Sequence, residues 1–282
     1  MTPIRISSFA KDGQGGNPAG VVISPALPSP QAMQAIAADL GYSETVFAAR
    51  DGSSWRVRYY APVCEVPFCG HATIALGAAL GAQEGAGTFA LNLRDTDISV
   101  EAMQVGDEWH AALQSPQTRS KPMPVALRDQ LLTLFGLTLD DLSRDLPPIM
   151  AFAGVLHGVL ALKCRAQLAA MDYPFEEMKT LMEAHDLVTI NLLHITGPRQ
   201  FASRNAFASG GVFEDPATGA AAAALGGALV DLDWDGLQAG GGFDVVQGED
   251  MGQPSAIKVE VTGVKGASVR VSGAVRWIGE TG

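Results

Sequence analysis

Arg58–Leu80 reads RYYAPVCEVPFCGHATIALGAAL, and Arg204–Leu229 reads RNAFASGGVFEDPATGAAAAALGGAL. Each runs from an arginine through an aromatic and small turn residues to an acidic residue, then Ala-Thr, then a very apolar stretch. Arg58 stands fifteen residues before Thr73, and Arg204 stands fourteen before Thr218. Two such segments so far apart point to a duplicated unit. The Ala/Gly-rich stretches are apolar on every side, as a helix is when protein surrounds it completely. Their small residues let neighbouring strands come close. The expected fold is therefore α+β, with two similar domains, each a curved, mostly antiparallel sheet wrapped around a central helix.

Working outward from the echo, the pattern predicts helices over residues 70–83 and 216–229. Ser29–Leu40 reads as an amphipathic helix: Ser29 caps it, Pro30 suits its first turn, Met33, Ile36, Ala37 and Leu40 keep helical spacing, and Gly41 ends it. Leu127–Phe135 reads as a further helix. In the first half, strands are expected at Ile4–Phe9, Ala19–Ile23, Trp55–Ala61, Phe89–Leu93, Ile98–Gln104 and Trp109–Gln114. In the second half they are expected at Val155–Leu162, Thr189–Ile195, Gln200–Phe207, Phe243–Gln247, Ile257–Val261 and Val269–Ser272. The domains are placed at 1–123 and 124–282, within a boundary zone of 115–150, and the C-terminal strand has the option of returning to the first domain.

The 282 residues carry 19 basic and 30 acidic side chains, a net charge of −11. That balance argues against nucleic acid and against anionic membrane as partners. The longest apolar stretch, about 217–230, is shorter than the ~20 residues of a membrane span. Three cysteines, Cys64, Cys69 and Cys164, make no disulfide framework and suggest a reducing compartment. No signal peptide is read at the N-terminus, so the expected location is cytoplasmic.

The two turns that open the central helices carry the chemistry. Backbone N–H groups at a helix start, with the partial positive charge there, bind carboxylates and other anionic oxygens. Gly70-His71-Ala72 and Thr218-Gly219-Ala220 are small enough for a ligand to approach. Two such ends facing one cleft would form an anion site. Cys69 and His71 are set aside as a Cys/His nucleophile, because helix neighbours two apart do not share a face. Cys69 is expected to pack as a small buried residue. The remaining histidines form no metal-binding pattern, Gly13-Gln14-Gly15-Gly16 fails as a dinucleotide fingerprint, and no Walker or Gly-x-Ser-x-Gly motif occurs. No metal and no cofactor are expected.

At these positions the chain resembles the PhzF-like (phenazine biosynthesis-like) family, which shares its fold with diaminopimelate epimerase. The resemblance spans nearly the whole length: Gly16-Asn17-Pro18-Ala19-Gly20, Ser43-Glu44-Thr45-Val46-Phe47, Glu65–Thr73, Glu214–Ala220 and Gln247–Ser255 come in the family's order. It implies a cofactor-independent isomerase in which Glu44 moves a proton in an inter-domain cleft, with His71 and Asp215 as the other catalytic residues. Asn17, Ser43, Gly70, Ala72, Thr218, Gly219 and Ala220 would bind a small, anionic, carboxylate-bearing substrate. It further implies a homodimer, for which the sequence shows no interface signature. A carboxyl group withdrawn from water can act as acid and base in turn, and helix-start amides would stabilise enolate charge. Departures bear on the substrate: Ala220 stands where the family often has Ser, Gln253 where Arg is common, and Ser209 where Pro is usual. The second thiol of the related epimerases is absent from the second turn. A non-catalytic ligand-binding or protein-interaction member of the same fold is the alternative.

Overall fold

The computed structural model describes residues 2–94 and 96–279. The chain divides into two compact units: unit 1 is Met1–Gln114 with Ser272–Gly282, and unit 2 is Ser115–Val271. The sequence reading put the division at residue 123. Residues 115–123 lie in unit 2, where the strand Thr118–Pro122 pairs with Ile149–Ala153, so the division falls at the near edge of the 115–150 zone. No helix among the described residues is long and apolar enough to cross a membrane.

Unit 1 opens with β1 (Ile4–Ala10) and β2 (Asn17–Ser24), a hairpin. Helix α1 (Pro30–Leu40) then crosses over to β3 (Glu44–Asp51), which lies parallel to β2. The predicted ends of α1 are present. The Ser29 hydroxyl oxygen accepts from Ala32 N–H, and Gly41 closes the helix at φ +66°. β3 pairs antiparallel with β4 (Ser54–Tyr60), and the two-residue β5 (Glu65–Val66) folds back on β4. Helix α2 (Gly70–Glu84) follows, then β6 (Gly87–Asn92), β7 (Asp97–Val105) and β8 (Glu108–Gln114). β6 runs parallel to β4, and β6, β7 and β8 form an antiparallel meander. The chain's last strand, Arg270–Trp277, pairs with both β8 and β1, so this sheet closes on itself.

Inside the ring lies α2, buried from His71 through Gly81. Its glycines set the closeness of the wall: a Cβ on Gly77 would stand 2.5 Å from Val100 Cγ2. A buried, nearly all-round apolar helix gains its stability from tertiary packing.

Unit 2 contains β9 (Thr118–Pro122), α3 (Val125–Leu134), β10 (Ile149–Ala153), β11 (Leu156–Leu162), α4 (Arg165–Ala169), α5 (Phe175–Ala184), β12 (Leu187–Gly197) and β13 (Gln200–Ala206). It continues through β14 (Glu214–Asp215), α6 (Gly219–Asp231), β15 (Gly241–Gln247) and β16 (Ser255–Val261), and β17 is the closing strand Arg270–Trp277 already described. The pairings from β10 to β16 repeat those from β1 to β7 one for one. β11 and β12 are parallel across the α4–α5 crossover, the two-residue β14 folds back on β13, and β15 runs parallel to β13. Helix α6 is buried from Ala221 to Val230, with Gly227 close against Thr118. The duplication read from the echo is thus present in the topology.

Two details correct the sequence reading. The second central helix begins at Gly219, not 216, since Pro216, Ala217 and Thr218 belong to the turn before it. The echo's register also changes at Ala-Thr. Arg58 pairs across from Phe47 as Arg204 does from Leu192, and Glu65 from Tyr60 as Glu214 does from Ala206. Five residues after each glutamate a helix starts, so Thr218 corresponds to Cys69, both N-cap residues, and not to Thr73.

Candidate active site

In unit 1, the first residue of β3 is Glu44, held beside Ala19 of β2 by the parallel register. Its side chain keeps 18% of its surface exposed. Glu44 Oε2 lies 3.4 Å from Nε2 of His71, the second residue of α2, and Ser43 Oγ lies 3.3 Å from the same nitrogen. The other ring nitrogen, Nδ1, is 3.3 Å from Cys69 Sγ. Hydrogen on Nε2 lets the ring donate to the Glu44 carboxylate while the Cys69 thiol donates to Nδ1, so one imidazole tautomer orders the whole row.

The start of α2 is fixed from behind. The Ser8 hydroxyl donates to the His71 carbonyl at 2.7 Å. Thr73 donates its hydroxyl to the Cys69 carbonyl, also at 2.7 Å, and so receives the Tyr59 hydroxyl proton. Burial pushes the Tyr59 phenol above its ordinary range, which keeps it a neutral donor. Thr73 is therefore a structural brace inside the helix.

Cys69 and His71 come together against the sequence expectation. The rule about helical neighbours does not apply to Cys69, which sits outside α2 as its N-cap with extended backbone, φ −144° and ψ 121°. Cys69 is buried, as expected, whereas Cys64 and Cys164 are exposed.

In unit 2, the matching turn holds Asp215 and Thr218. The Thr218 hydroxyl donates to Asp215 Oδ2. Gln247, at the end of β15, ties the turn down. Its Nε2 donates to the Asp215 carbonyl at 2.6 Å and reaches Thr218 Oγ1 at 3.1 Å, and its Oε1 accepts from Thr218 N–H at 3.2 Å. The sequence reading quoted Gln247 within a motif and gave it no role; the signal was Gln-Gly at the end of a strand. Gly248 follows at φ +74°, where a Cβ would meet Gln253 O at 2.2 Å and Pro216 O at 2.8 Å, so glycine is needed for the strap to lie on the turn.

Of the other expected ligand contacts, Gly70 and Gly219 are the first residues of α2 and α6, and neither N-cap side chain caps its helix. Asn17 and Ala72 are almost fully buried, while Ala220 is half-buried. Ion pairs stand behind both turns: Arg58 grips Glu65 with two nitrogens, and Arg204 grips Glu214 and also donates to the Ala169 carbonyl.

Known proteins carry the same arrangement of strands. The chain superposes on the PhzF-family phenazine biosynthesis protein of Bacillus anthracis with a TM-score of 0.86 at 21% identity, over 98% of this chain and 96% of that one. A hydroxyproline epimerase of Agrobacterium vitis shares the fold more distantly, with a TM-score of 0.65 at 11% identity over 98% and 90% of the two chains. In sequence, it is 31% identical over 280 residues to an uncharacterized isomerase of Deinococcus radiodurans, covering 95% of this chain and 90% of the relative. It is 29% identical over 286 residues to the trans-2,3-dihydro-3-hydroxyanthranilate isomerase of Pseudomonas aeruginosa, covering 96% and 94%. The family model described as phenazine biosynthesis-like protein matches residues 6–278. The chain belongs to the phenazine biosynthesis-like (PhzC-PhzF) family of isomerases.

Proposed function

We propose that this isomerase moves a proton between carbons of a small carboxylate-bearing metabolite, with Glu44 as the proton carrier. The observation that carries the reading is the Glu44–His71 contact of 3.4 Å beside the uncapped start of α2. A carboxylate at the mouth of a helix start can take a proton from carbon next to a carbonyl or conjugated system. The free N–H groups stabilise the enolate that results, and the carboxylic acid then returns the proton elsewhere. No electron is gained or lost overall, so the step calls for no cofactor. His71 orients the Glu44 carboxylate, and Asp215, held by Thr218 and Gln247, is the second carboxyl in the reading. Ser43 and the amides near Gly70 and Gly219 would receive the substrate's anionic oxygens. The substrate of the Pseudomonas aeruginosa relative, an anthranilate derivative by name, is of this class. Ala220 and Gln253 leave this chain room for a different member of it. The same reading carries a homodimer in the cytoplasm and no nucleic-acid or membrane partner.

Incubation with small carboxylic acids in heavy water tests the reading. Deuterium should enter a carbon position, and Glu44→Gln should slow its entry by ~10²–10⁴-fold, the usual cost of a lost general base. An acid that binds tightly without isomerisation or exchange, and that Glu44→Gln binds equally well, would make the protein a binder and not a catalyst.

A further inference from the structure

Glu44, Cys69 and His71 each turn one donor atom toward the others, and the three atoms lie within 4.8 Å of one another. We propose that this cluster is a binding site for a soft divalent cation of the zinc class, and that the cation acts there as an inhibitor. A thiol, an imidazole and a carboxylate form a mixed donor set that suits zinc and discriminates against magnesium and calcium, which prefer oxygen alone. The spacing fits. Tetrahedral zinc, with Zn–S near 2.3 Å and Zn–N and Zn–O near 2.0–2.1 Å, places sulfur ~3.5 Å from nitrogen and nitrogen ~3.3 Å from oxygen. Cys69 Sγ lies 3.9 Å from His71 Nε2, and Nε2 lies 3.4 Å from Glu44 Oε2. Cys69 Sγ stands nearer Nδ1, at 3.3 Å, so seating the cation on Nε2 requires the Cys69 side chain to turn about its Cα–Cβ bond toward that nitrogen.

All three donors are supplied from the same unit and held on braced backbone. Cys69 is fixed as the N-cap of α2, His71 through the Ser8 bond to its carbonyl, and Glu44 by the parallel β2–β3 register. Three protein ligands leave a fourth position open, as in exchangeable and not in structural zinc sites. On binding, the imidazole hydrogen moves from Nε2 to Nδ1, the Cys69 thiol loses its proton to solvent as the Zn–S bond forms, and no redox change occurs. The binding stands on this geometry alone. The inhibition rests on Glu44 being the proton carrier, since a carboxylate that ligates zinc cannot take a proton from carbon.

The test uses the full chain, stripped with EDTA and titrated calorimetrically with zinc sulfate, with cobalt(II) as a spectroscopic probe and no substrate present. Wild type should take up one zinc per chain and show a thiolate-to-cobalt charge-transfer band. The Cys64→Ser/Cys164→Ser variant should keep both, which excludes the exposed thiols. Loss of an outer-shell partner costs a metal site 10–100-fold in affinity, so removing a direct ligand by Cys69→Ser should cost ~100-fold or more and abolish the band. Glu44→Gln, whose fold should be untouched, should also weaken zinc while keeping the band. Zinc uptake by Cys69→Ser equal to wild type, loss of uptake in the Cys64→Ser/Cys164→Ser variant, or no stoichiometric uptake by wild type would each overturn the site. Because none of these measurements involves turnover, a failure of the isomerase reading would leave them intact. If zinc binds at Cys69 yet leaves carbon-proton exchange by wild type unaffected, the inhibitory half of the proposal fails.

Discussion

The two halves of this protein are built from the same succession of strands, and they differ at the positions where chemistry would be done. Through the shared register, Glu44 corresponds to Thr189, Cys69 to Thr218 and His71 to Ala220. Unit 1 thus places a partly exposed carboxylate beside an imidazole. Unit 2 instead has Thr189 beside the fully buried His157, the counterpart of Ala19, with His157 Nδ1 2.7 Å from Thr189 Oγ1. The carboxyl in the second turn is Asp215, where the first turn has Val66. The ion pairs behind the turns diverge as well: Arg58–Glu65 retains about a quarter of its side-chain surface in water, whereas Arg204–Glu214 retains 9% and 4%. A duplicated scaffold fixes where a reactive group can stand, and burial decides whether the copy at that place reacts or packs.

The largest expected effect breaks that symmetry directly. Glu44→Gln should lower carbon-proton exchange by ~10²–10⁴-fold, whereas Thr189→Ser, at the equivalent buried place, should leave the rate unchanged. Matched measurements of exchange in heavy water check this, and equal losses would show that unit 2 also carries a reacting group.

Next come the two ion pairs. Glu214→Gln strands the buried Arg204 charge and should cost ~3–5 kcal/mol in urea unfolding, the range for breaking a buried pair. Glu65→Gln should cost about 1 kcal/mol or less, because water screens the more exposed pair. If the two variants unfold alike, the difference in burial is not what separates the turns.

The buried histidine gives a pH signature. Burial depresses His157 from 6.5 to about 3, so between those values the unfolded chain takes up a proton that the folded chain refuses. Its stability contribution is complete above pH 6.5 and falls as the pH drops toward 3, by at most about 1.4 kcal/mol per pH unit. Urea unfolding of His157→Gln across this window should show a flatter acid limb than wild type.

The smallest effect concerns Glu65. The hydrogen bond from Arg58 holds its carboxyl below the ordinary 4.5. The stability it provides is present above pH 4.5 and is lost as the pH falls through the lower folded value. Glu65→Gln and wild type should therefore differ most near neutrality and converge in acid.

Much of this was legible in the residues because several elements carry their own punctuation. Helix α1 announces both ends, through Ser29 with Pro30 and through Gly41, and the all-apolar stretches could only be buried. Helix α5 was missed: it has Met178 and Met182 on its buried face, but it starts after Pro174 without a capping side chain. The two-residue strands β5 and β14 are too short for any periodicity, yet they set the true register of the echo. Glu44, His71 and Asp215 stand out only through family resemblance, since a lone polar residue at a strand or helix start does not declare its role. The Cys69–His71 contact was lost by treating the residue before a helix as part of it, although its extended backbone turns the side chain back toward the ring.

The closing strand β17 has a consequence for how the protein is made. The ring of unit 1 is completed only when Ser272–Trp277 lies against β1 and β8, and the whole of unit 2 is encoded in between. At ribosomal speeds of ~5–20 residues per second, the first 114 residues wait for roughly 8–30 s before their last neighbour is synthesised. During that interval β1 and β8 are open edges able to pair with other chains, the hazard that unpaired strands carry in any sheet. Unit 2, whose residues are contiguous, can finish first. The half that holds Glu44 and His71 is therefore the later to close, and its ring is complete only once Trp277 has been made.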